Sequence, residues 1–209
     1  MISTGTWKDR KLNVPGEDIQ GVEGCLSFLN RFYNGEEKEV REKVAVIGDG
    51  NAAYDLARIL FRTGAEVTII SWFSRDKIPA DPEEVQAADK EGIKLKADTQ
   101  VIQFLADKNR LSSILCKPTQ PGEPDENGIA WPVIIQDSEQ FELKFDRAFV
   151  AIGQKGTFES NGSSLKESKS GYIESDEFNR TNIANVYASG DAITGPSSVV
   201  HAMADGKKA

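Results

Sequence analysis

The sequence predicts an α/β protein with helices packed on a parallel β-sheet. Two apolar runs rich in Val and Ile, VAVI (44–47) and EVTIIS (66–71), indicate buried strands with both faces covered. Between them, Asn51 to Thr63 carries apolar residues at helical spacing, and Gly64 follows where a C-terminal cap belongs. The order strand, helix, strand is one βαβ unit, and we expect its crossover to be right-handed.

Composition restricts the protein's class and partners. The 209 residues suit one large domain or two small ones, and the net charge of −8 argues against nucleic acid or an anionic membrane as partner. No apolar run could span a bilayer, and no secretory signal follows the start. Cys25 and Cys116 form neither a CxxC motif nor a metal-ligand spacing. We therefore expect two buried or half-buried thiols, no metal site and a cytoplasmic protein.

One helix is predicted before the βαβ unit along the chain, and another after it. Residues 1–40 are largely irregular, but CLSFLNRFY (25–33) has the apolar stripe of a short helix, before a polar connector or fraying helix at 34–43. Downstream, PADPEEVQAADKEG (79–92) predicts another helix. Asp81 can cap it, Pro82 suits its first position, and Gly92 ends it.

Beyond residue 93 the pattern changes to short strand-like pieces that predict a β-meander. The pieces are TQVIQFLA (99–106), RLSSILCK (110–117), WPVIIQ (131–136) and FELKF (141–145). RAFVAIG (147–153) is then an apolar strand that ends in glycine, and a loop-rich stretch follows at 153–171. NVYASGDA (185–192) is strand-like, and Ser197 or Ser198 precedes a last predicted helix, VVHAMADGKK (199–208).

A glycine-rich turn between the first strand and its helix predicts a dinucleotide site. Gly48 serves the sharp turn, Gly50 removes a side chain that would block a phosphate, and Ala53 lets helix and strand pack closely. The helix N-terminus offers free N–H donors to an anion. In this βαβ context the GxGxxA pattern indicates a Rossmann-like NAD(P)H site formed by Gly48, Asp49, Gly50, Asn51, Ala52 and Ala53. The alternative is a structural glycine turn in an unrelated α/β domain.

The residues after the second strand usually distinguish NAD from NADP. An acid there holds the ribose 2′-OH of NAD, whereas an Arg accommodates the 2′-phosphate of NADP. Here Ser71-Trp72-Phe73 follows the strand, with no acid at the strand end. Arg75 or Lys77 is a candidate for a 2′-phosphate, and Trp72 for stacking on adenine. Packing of the aromatic residues under the following loop is the alternative, and the coenzyme choice stays open.

Four segments resemble the glutamate synthase small-subunit family. Its relatives include the flavin part of dihydropyrimidine dehydrogenase and the NAD(P)H:ferredoxin-type bifurcating oxidoreductases. The similarity extends over nearly the whole chain in the same order. The segments are KVAVIGDGNAAYDLAR (43–58), IPADPEEVQAADKEGI (78–93), FVAIGQ (149–154) and NVYASGDAITGPSSVVHAMADGKKA (185–209).

The resemblance implies an NAD(P)H-binding domain inserted in an FAD-binding domain. Residues 1–42 would then be an FAD-domain remnant and connector, 43–152 the NAD(P)-binding domain, and 153–209 the C-terminal part of the FAD domain. Family members begin with an FAD fingerprint and often carry iron–sulfur ligands, and this chain has neither. It looks like a piece of a longer flavoprotein, so we expect the piece alone to be inactive or nearly so.

The resemblance also implies further cofactor-binding residues. Ala151, Ile152 and Gly153 join the coenzyme site, Gly190 and Asp191 would hold the ribityl-pyrophosphate side of FAD, and the helix start at Val199 and Val200 would face the flavin ring. Without the resemblance, Asp191 would be interpreted as a strand-end turn or cap. Many members have Tyr-Arg-Arg where this chain has Ser71-Trp72-Phe73, which puts NADP preference in doubt and suggests a shift toward NADH.

The implied activity is an NAD(P)H-dependent flavin oxidoreductase. Hydride would pass from nicotinamide to FAD, and electrons onward to an iron–sulfur domain or a partner subunit. Such transfer needs positioning more than acid–base groups, so no catalytic residue is nominated, and His201 is interpreted as a surface or packing residue. The alternatives are a non-catalytic nucleotide-binding module and a flavoprotein of the thioredoxin reductase type, against which the missing CxxC weighs.

Overall fold

The computed structural model describes residues 1–126, 128–156, 158 and 164–209, and divides the chain into two compact units. The central unit is Lys11–Ile152, and the outer unit combines Met1–Arg10 with Gly153–Ala209. One unit is therefore inserted in the other along the chain. Part of the stretch predicted as loop-rich, 157 and 159–163, lies outside the described residues.

Strands and helices alternate in the first half of the chain, and strands dominate the middle. The strands are β1 (Lys8–Asp9), β2 (Val22–Gly24), β3 (Lys43–Ile47), β4 (Glu66–Ile70), β5 (Lys94–Lys96), β6 (Thr99–Asp107), β7 (Arg110–Pro124), β8 (Ala130–Ile134), β9 (Phe141–Lys144), β10 (Arg147–Val150) and β11 (Gln154–Lys155). The helices are α1 (Cys25–Tyr33), α2 (Asn51–Arg62), α3 (Pro82–Glu91), α4 (Asp191–Thr194) and α5 (Val199–Lys208). No helix of the described residues has the length and apolar character that a membrane crossing requires.

A parallel sheet forms the middle layer of the central unit. Its strand order is β2-β10-β3-β4-β5, with every neighbouring pair parallel. Successive residues of β3 point to opposite faces. Val44 and Val46 pack with α1, α2 and α3, whereas Ala45 and Ile47 pack with the antiparallel sheet built from β6 and β7. The predicted three-layer α/β fold is therefore confirmed.

The central unit begins at Lys11, upstream of the boundary predicted at residue 43. The reason is that β2 pairs with β10, while Cys25 and Phe28 of α1 are buried in the same core as α2. The assignment of residues 43–152 to NAD(P) binding, and of residues 1–42 and 153–209 to an FAD domain, stays a prediction.

Local signals located the helix ends well. Asp81 accepts a hydrogen bond from the N–H of Glu83 at 2.9 Å, Pro82 is the first residue of α3, and Gly92 closes it with a left-handed φ of 91°. The N–H of His201 likewise donates to the Ser198 side chain at 3.3 Å, which caps α5. The Asp81 cap was predicted, because such a cap depends on residues within one turn, whereas the sequence left open whether Ser197 or Ser198 precedes α5.

The antiparallel sheet differs from the predicted meander. β8 and β9 both pair with β7 rather than with each other. β7 extends to Pro124, far beyond the predicted strand, so its 113–116 segment pairs with β9 and its 119–124 segment with β8. One long strand thus takes two partners in succession, which the lengths of the apolar runs did not indicate.

The outer unit is less regular than predicted. β1 and β11 form a two-residue antiparallel ladder, and Ile2 makes an isolated parallel bridge to Ala188. Residues 185–192 were predicted as strand-like, but Tyr187 and Ala188 form only isolated bridges, and Asp191 and Ala192 belong to α4. An apolar run becomes a strand only where a neighbour extends alongside it, and here the pairing ends after single residues.

Candidate functional site

Gly48 lies where the loop after β3 contacts the end of β10. Its φ is +144°, and a Cβ added there would lie 2.3 Å from the carbonyl oxygen of Ala151. The N–H of Gly48 donates to Ile70 O at 3.0 Å, and the N–H of Ala151 donates to Ile47 O at 2.7 Å. Gly48 and Ala151, both predicted site residues, therefore pack against each other and close the loop on the sheet edge.

The N-terminus of α2 is open at Gly50. Gly50 is its N-cap, with φ −87° and ψ 174° and no side-chain cap, and a Cβ there would meet no atom within 4 Å. The N–H groups of Asn51 and Ala52 belong to the first turn, where helices have no internal acceptors. Ala53 is fully buried against the sheet. This end of α2 can accept an anion close to the backbone.

The glycine loop is tied to the loop that follows β4. Asn51 Oδ1 accepts a hydrogen bond from the N–H of Asp81 at 2.7 Å, and the N–H of Ala80 donates to Asp49 O at 3.1 Å. Asp81 is also the N-cap of α3. The N-termini of α2 and α3 therefore lie at the same edge of the parallel sheet, where sites of doubly wound proteins form.

The Asp49 side chain reaches the end of β4. Its Oδ2 accepts a hydrogen bond from Ser71 Oγ at 3.0 Å, and the N–H of Trp72 also donates to its carboxylate. Asp49 is half-buried, and burial raises the pKa of its carboxyl, while these hydrogen bonds act in the opposite direction. The sequence places no acid at the end of β4, but the fold brings one there from the glycine loop.

Trp72 belongs to an aromatic cluster beside this edge. Its ring centroid lies 5.7 Å from that of Phe73 and 6.1 Å from that of Trp131, a residue of β8. Phe73 is buried, whereas Trp72 is 36% and Trp131 47% exposed. Sequence reasoning missed Trp131, although a tryptophan in a short strand is a recognisable signal. The cluster presents exposed ring surface after β4, so Trp72 is both packed and accessible.

The cations expected to meet a 2′-phosphate already have acidic neighbours. Arg75 forms an ion pair with Asp89 of α3, and Lys77 Nζ lies 4.0 Å from the carboxylate of Asp76. The Arg75 and Lys77 side chains are 60% and 69% exposed, so these pairs are weak. Neither basic residue is held in position by burial.

The boundary between the two units lies just after β10. Ile152 ends the central unit and is partly exposed, whereas Gly153 begins the outer unit. The Gly153 carbonyl accepts a hydrogen bond from the N–H of Arg10 at 3.1 Å, at the end of the β1–β11 ladder. Of the three residues predicted here, Ala151 contacts the glycine loop at Gly48.

The outer unit contains a cavity of about 280 Å³ beside the start of α5. Three predicted residues, Gly190, Asp191 and Val199, line it together with Ser3, Gly5, Ser189, Ser197, Ser198 and Ala202. Val200 does not line the cavity and is 74% exposed. His201 is exposed, as predicted, and its Nδ1 lies 2.9 Å from Ser198 Oγ.

Metal binding finds no support in these sites. Within the described ranges, no three His, Cys, Asp or Glu side chains are grouped so that they could hold a metal ion. Both cysteines are buried, and burial raises the pKa of Cys116 to about 12, so its thiol stays protonated.

Several known proteins are similar to this chain in sequence. The sequence profile of the family described as "Pyridine nucleotide-disulphide oxidoreductase" matches residues 1–206. The chain is 33% identical, over its full length, to the NADP(+)-dependent formate dehydrogenase subunit beta of Moorella thermoacetica, and covers 30% of it. It is 31% identical to a putative glutamate synthase [NADPH] small chain of Cereibacter sphaeroides and covers 54% of it.

Solved structures give the same fold. The Lactococcus lactis thioredoxin reductase aligns with the whole chain at a TM-score of 0.75 and 26% identity, and 62% of that protein is covered. The chain therefore spans between about a third and two thirds of these similar proteins.

Proposed function

Because the chain belongs to the pyridine nucleotide-disulphide oxidoreductase family, we propose that it binds NAD(P)H as part of a flavin-dependent oxidoreductase. The observation that carries this proposal is the open N-terminus of α2. At Gly50 a phosphate can approach the backbone, because no side chain or neighbouring atom occupies the space. The N–H groups of Asn51 and Ala52 then become its donors.

The central unit contributes binding and orientation. When bound, the nicotinamide coenzyme would supply the hydride and a flavin would accept it. The glycine loop holds the diphosphate, while hydrogen bonds from Ala80 and Asp81 fix the loop relative to α3. Trp72 offers an exposed ring face on which adenine can stack. Since these hydrogen bonds already hold the loop in place, the loop loses little conformational freedom when the coenzyme binds.

We further propose that the outer unit contributes to an FAD site. Its cavity joins Gly190, Asp191 and Val199, the residues expected to face FAD. Gly190 has a φ of +64°, which lets the chain turn into α4 without a side chain on the cavity wall. The apolar residues Val199, Val200 and Met203 are 76%, 74% and 60% exposed on α5, so bound flavin would be poorly enclosed by the described residues.

An electron-accepting partner completes the proposal. Two similar proteins are named as a subunit beta and a small chain, so each belongs to a larger assembly. We infer that an iron–sulfur domain or a partner subunit receives the electrons, in a cytoplasmic protein. We expect this chain alone, given NAD(P)H and FAD, to oxidise the coenzyme at background rate. Sustained oxidation measured at 340 nm would contradict this expectation.

Coenzyme titration tests the main proposal. Gly50→Val adds a side chain where the diphosphate would lie, and we expect binding of the tighter coenzyme to weaken by at least about tenfold. Gly206→Val is the matched control, because Gly206 lies on α5 of the outer unit and also faces open space. Circular dichroism checks that both variants fold. The proposal fails if the unaltered chain binds neither NADH nor NADPH, or if Gly50→Val binds as well as the control.

A further inference from the structure

We propose that Asp49 selects the coenzyme, so that this site prefers NADH and discriminates against NADPH. The inference rests on the proposed function and deepens it. Two similar proteins carry NADP(+) or NADPH in their names, so a preference for NADH distinguishes this chain from them.

The Asp49 carboxylate lies where βαβ coenzyme sites usually place an acid. In βαβ coenzyme sites the adenosine ribose lies at the carboxyl end of the second strand, where an acid holds its 2′-OH. Here that strand is β4, which ends at Ile70. Ser71 Oγ holds the Asp49 carboxylate at this end, 3.0 Å away, and the N–H of Trp72 donates to it as well. The acid that other sites take from the strand end comes here from the glycine loop.

Hydrogen bonds hold the residues around the Asp49 carboxylate in place. Ser71 is fully buried, and its Oγ also accepts a hydrogen bond from the N–H of Phe73 at 3.0 Å. The carbonyl of Ser71 accepts from the N–H of Thr99 at 2.9 Å, and the carbonyl of Trp72 accepts from Thr119 Oγ1 at 2.7 Å. Ser71 is therefore a positioning residue, and Asp49 cannot swing away without losing its hydrogen bonds.

The negative charge of Asp49 favours a ribose hydroxyl over a 2′-phosphate. A ribose 2′-OH can donate a hydrogen bond to a carboxylate, but a 2′-phosphate would place negative charge beside negative charge. The basic side chains in the loop after β4, Arg75 and Lys77, are exposed and only weakly paired, so the fold fixes neither of them beside the Asp49 carboxylate where it would offset this repulsion. A hydroxyl is therefore favoured over a phosphate at this position.

Dissociation constants for NADH and NADPH test the inference. We expect the unaltered chain to bind NADH at least about tenfold more tightly. Asp49→Asn keeps the size of the side chain but removes its charge, so it should bring the two constants within about threefold of each other, mainly by tightening NADPH. Asp55→Asn is the matched control. Asp55 is an exposed acid on α2, the helix that follows the glycine loop, and its loss changes the net charge equally but should leave the ratio unchanged.

The outcomes separate this inference from the proposed function. If the unaltered chain binds NADPH as tightly as NADH, or if Asp49→Asn leaves the ratio unchanged, the inference is wrong and the coenzyme site stands. If neither coenzyme binds, the proposed function itself fails. Should Asp49→Asn not fold, the unaltered chain is titrated with ADP-ribose and its 2′-phosphorylated form. Tighter binding of ADP-ribose supports the inference, and equal or weaker binding overturns it.

Discussion

Gly48 and Gly50 are two residues apart, but they are glycines for different reasons. Gly48 is required by the fold, because its left-handed φ and the nearby Ala151 carbonyl leave no room for a side chain. Gly50 has an ordinary extended backbone and open space above it, so nothing in the fold requires a glycine there. In the proposed function, position 50 must be a glycine because a side chain there would block the coenzyme diphosphate. Stability and binding therefore depend on different glycines of one motif.

Stability measurements can separate the two roles. We expect Gly48→Ala to lower the free energy of unfolding by at least about 2 kcal/mol, because the new Cβ must displace backbone at 2.3 Å. Gly50→Ala is the control, with an expected loss of no more than about 1 kcal/mol, the size of an N-cap effect. Urea denaturation measures both. Equal losses would show that the contact with Ala151 does not constrain the loop.

At the scale of elements, an ion-pair cluster joins β2, the 34–42 connector and β10. Arg147 of β10 contacts Glu23 of β2 and both Glu37 and Glu42 of the connector, and its side chain is only 13% exposed. Arg31 of α1 also binds Glu23 and Glu37. The connector was predicted as a polar linker or fraying helix. It forms no helix, and instead its acids neutralise a partly buried arginine.

Glu37 should make the stability of this region depend on pH. The hydrogen bond from Arg147 lowers the pKa of Glu37 below its ordinary value of 4.5. The folded state thus binds this proton more weakly than the unfolded state. The stabilisation is complete above the unfolded pKa and is lost as pH falls through the lower folded pKa. We expect Glu37→Gln to cost about 1–2 kcal/mol at pH 7 and progressively less below about pH 4.5.

The control for this prediction is Glu36→Gln, which changes an exposed neighbour in the same connector. Urea denaturation from about pH 7 to pH 3 compares both variants with the unaltered chain. A Glu37→Gln cost that stays constant over this range would show that Glu37 does not titrate through the cluster.

At the scale of the whole molecule, the central unit has the features of an independent domain. Its parallel sheet is covered on both faces, by helices with residues such as Leu56 and Leu60 and by the antiparallel sheet with Phe104 and Ile114. The chain enters it at Lys11 and leaves at Ile152. All residues proposed to bind NAD(P)H through the glycine loop lie within it, whereas the cavity proposed for FAD lies in the outer unit.

We therefore expect residues 11–152 to fold alone and to bind NADH within about threefold of the affinity of the 209-residue chain. Folding is checked by a cooperative urea transition, and binding by calorimetry. The same segment with Gly50→Val serves as the binding-deficient control. An unfolded segment would show that the outer unit is needed for the central fold. A folded segment with much weaker binding would assign part of the coenzyme site to the outer unit.

The sequence by itself determined the βαβ unit, the cap of α3, the start of α5 after Ser197 or Ser198, and the glycine turn. These features depend on side-chain periodicity and on hydrogen bonds within a few residues, which any stretch of sequence carries with it. The same local rules failed for residues 185–192 and for the β8–β9 connection, because a strand also needs a partner at the right register.

Only the tertiary structure decided which distant side chains meet. Asp49 reaches Ser71 because parallel β3 and β4 end at the same sheet edge, and Arg147 meets Glu37 across more than a hundred residues. Trp131 joins Trp72 only because β8 pairs with the far end of β7. Electrostatic and ring contacts act through space over a few ångströms, so their partners are fixed by strand order and loop path rather than by spacing along the chain.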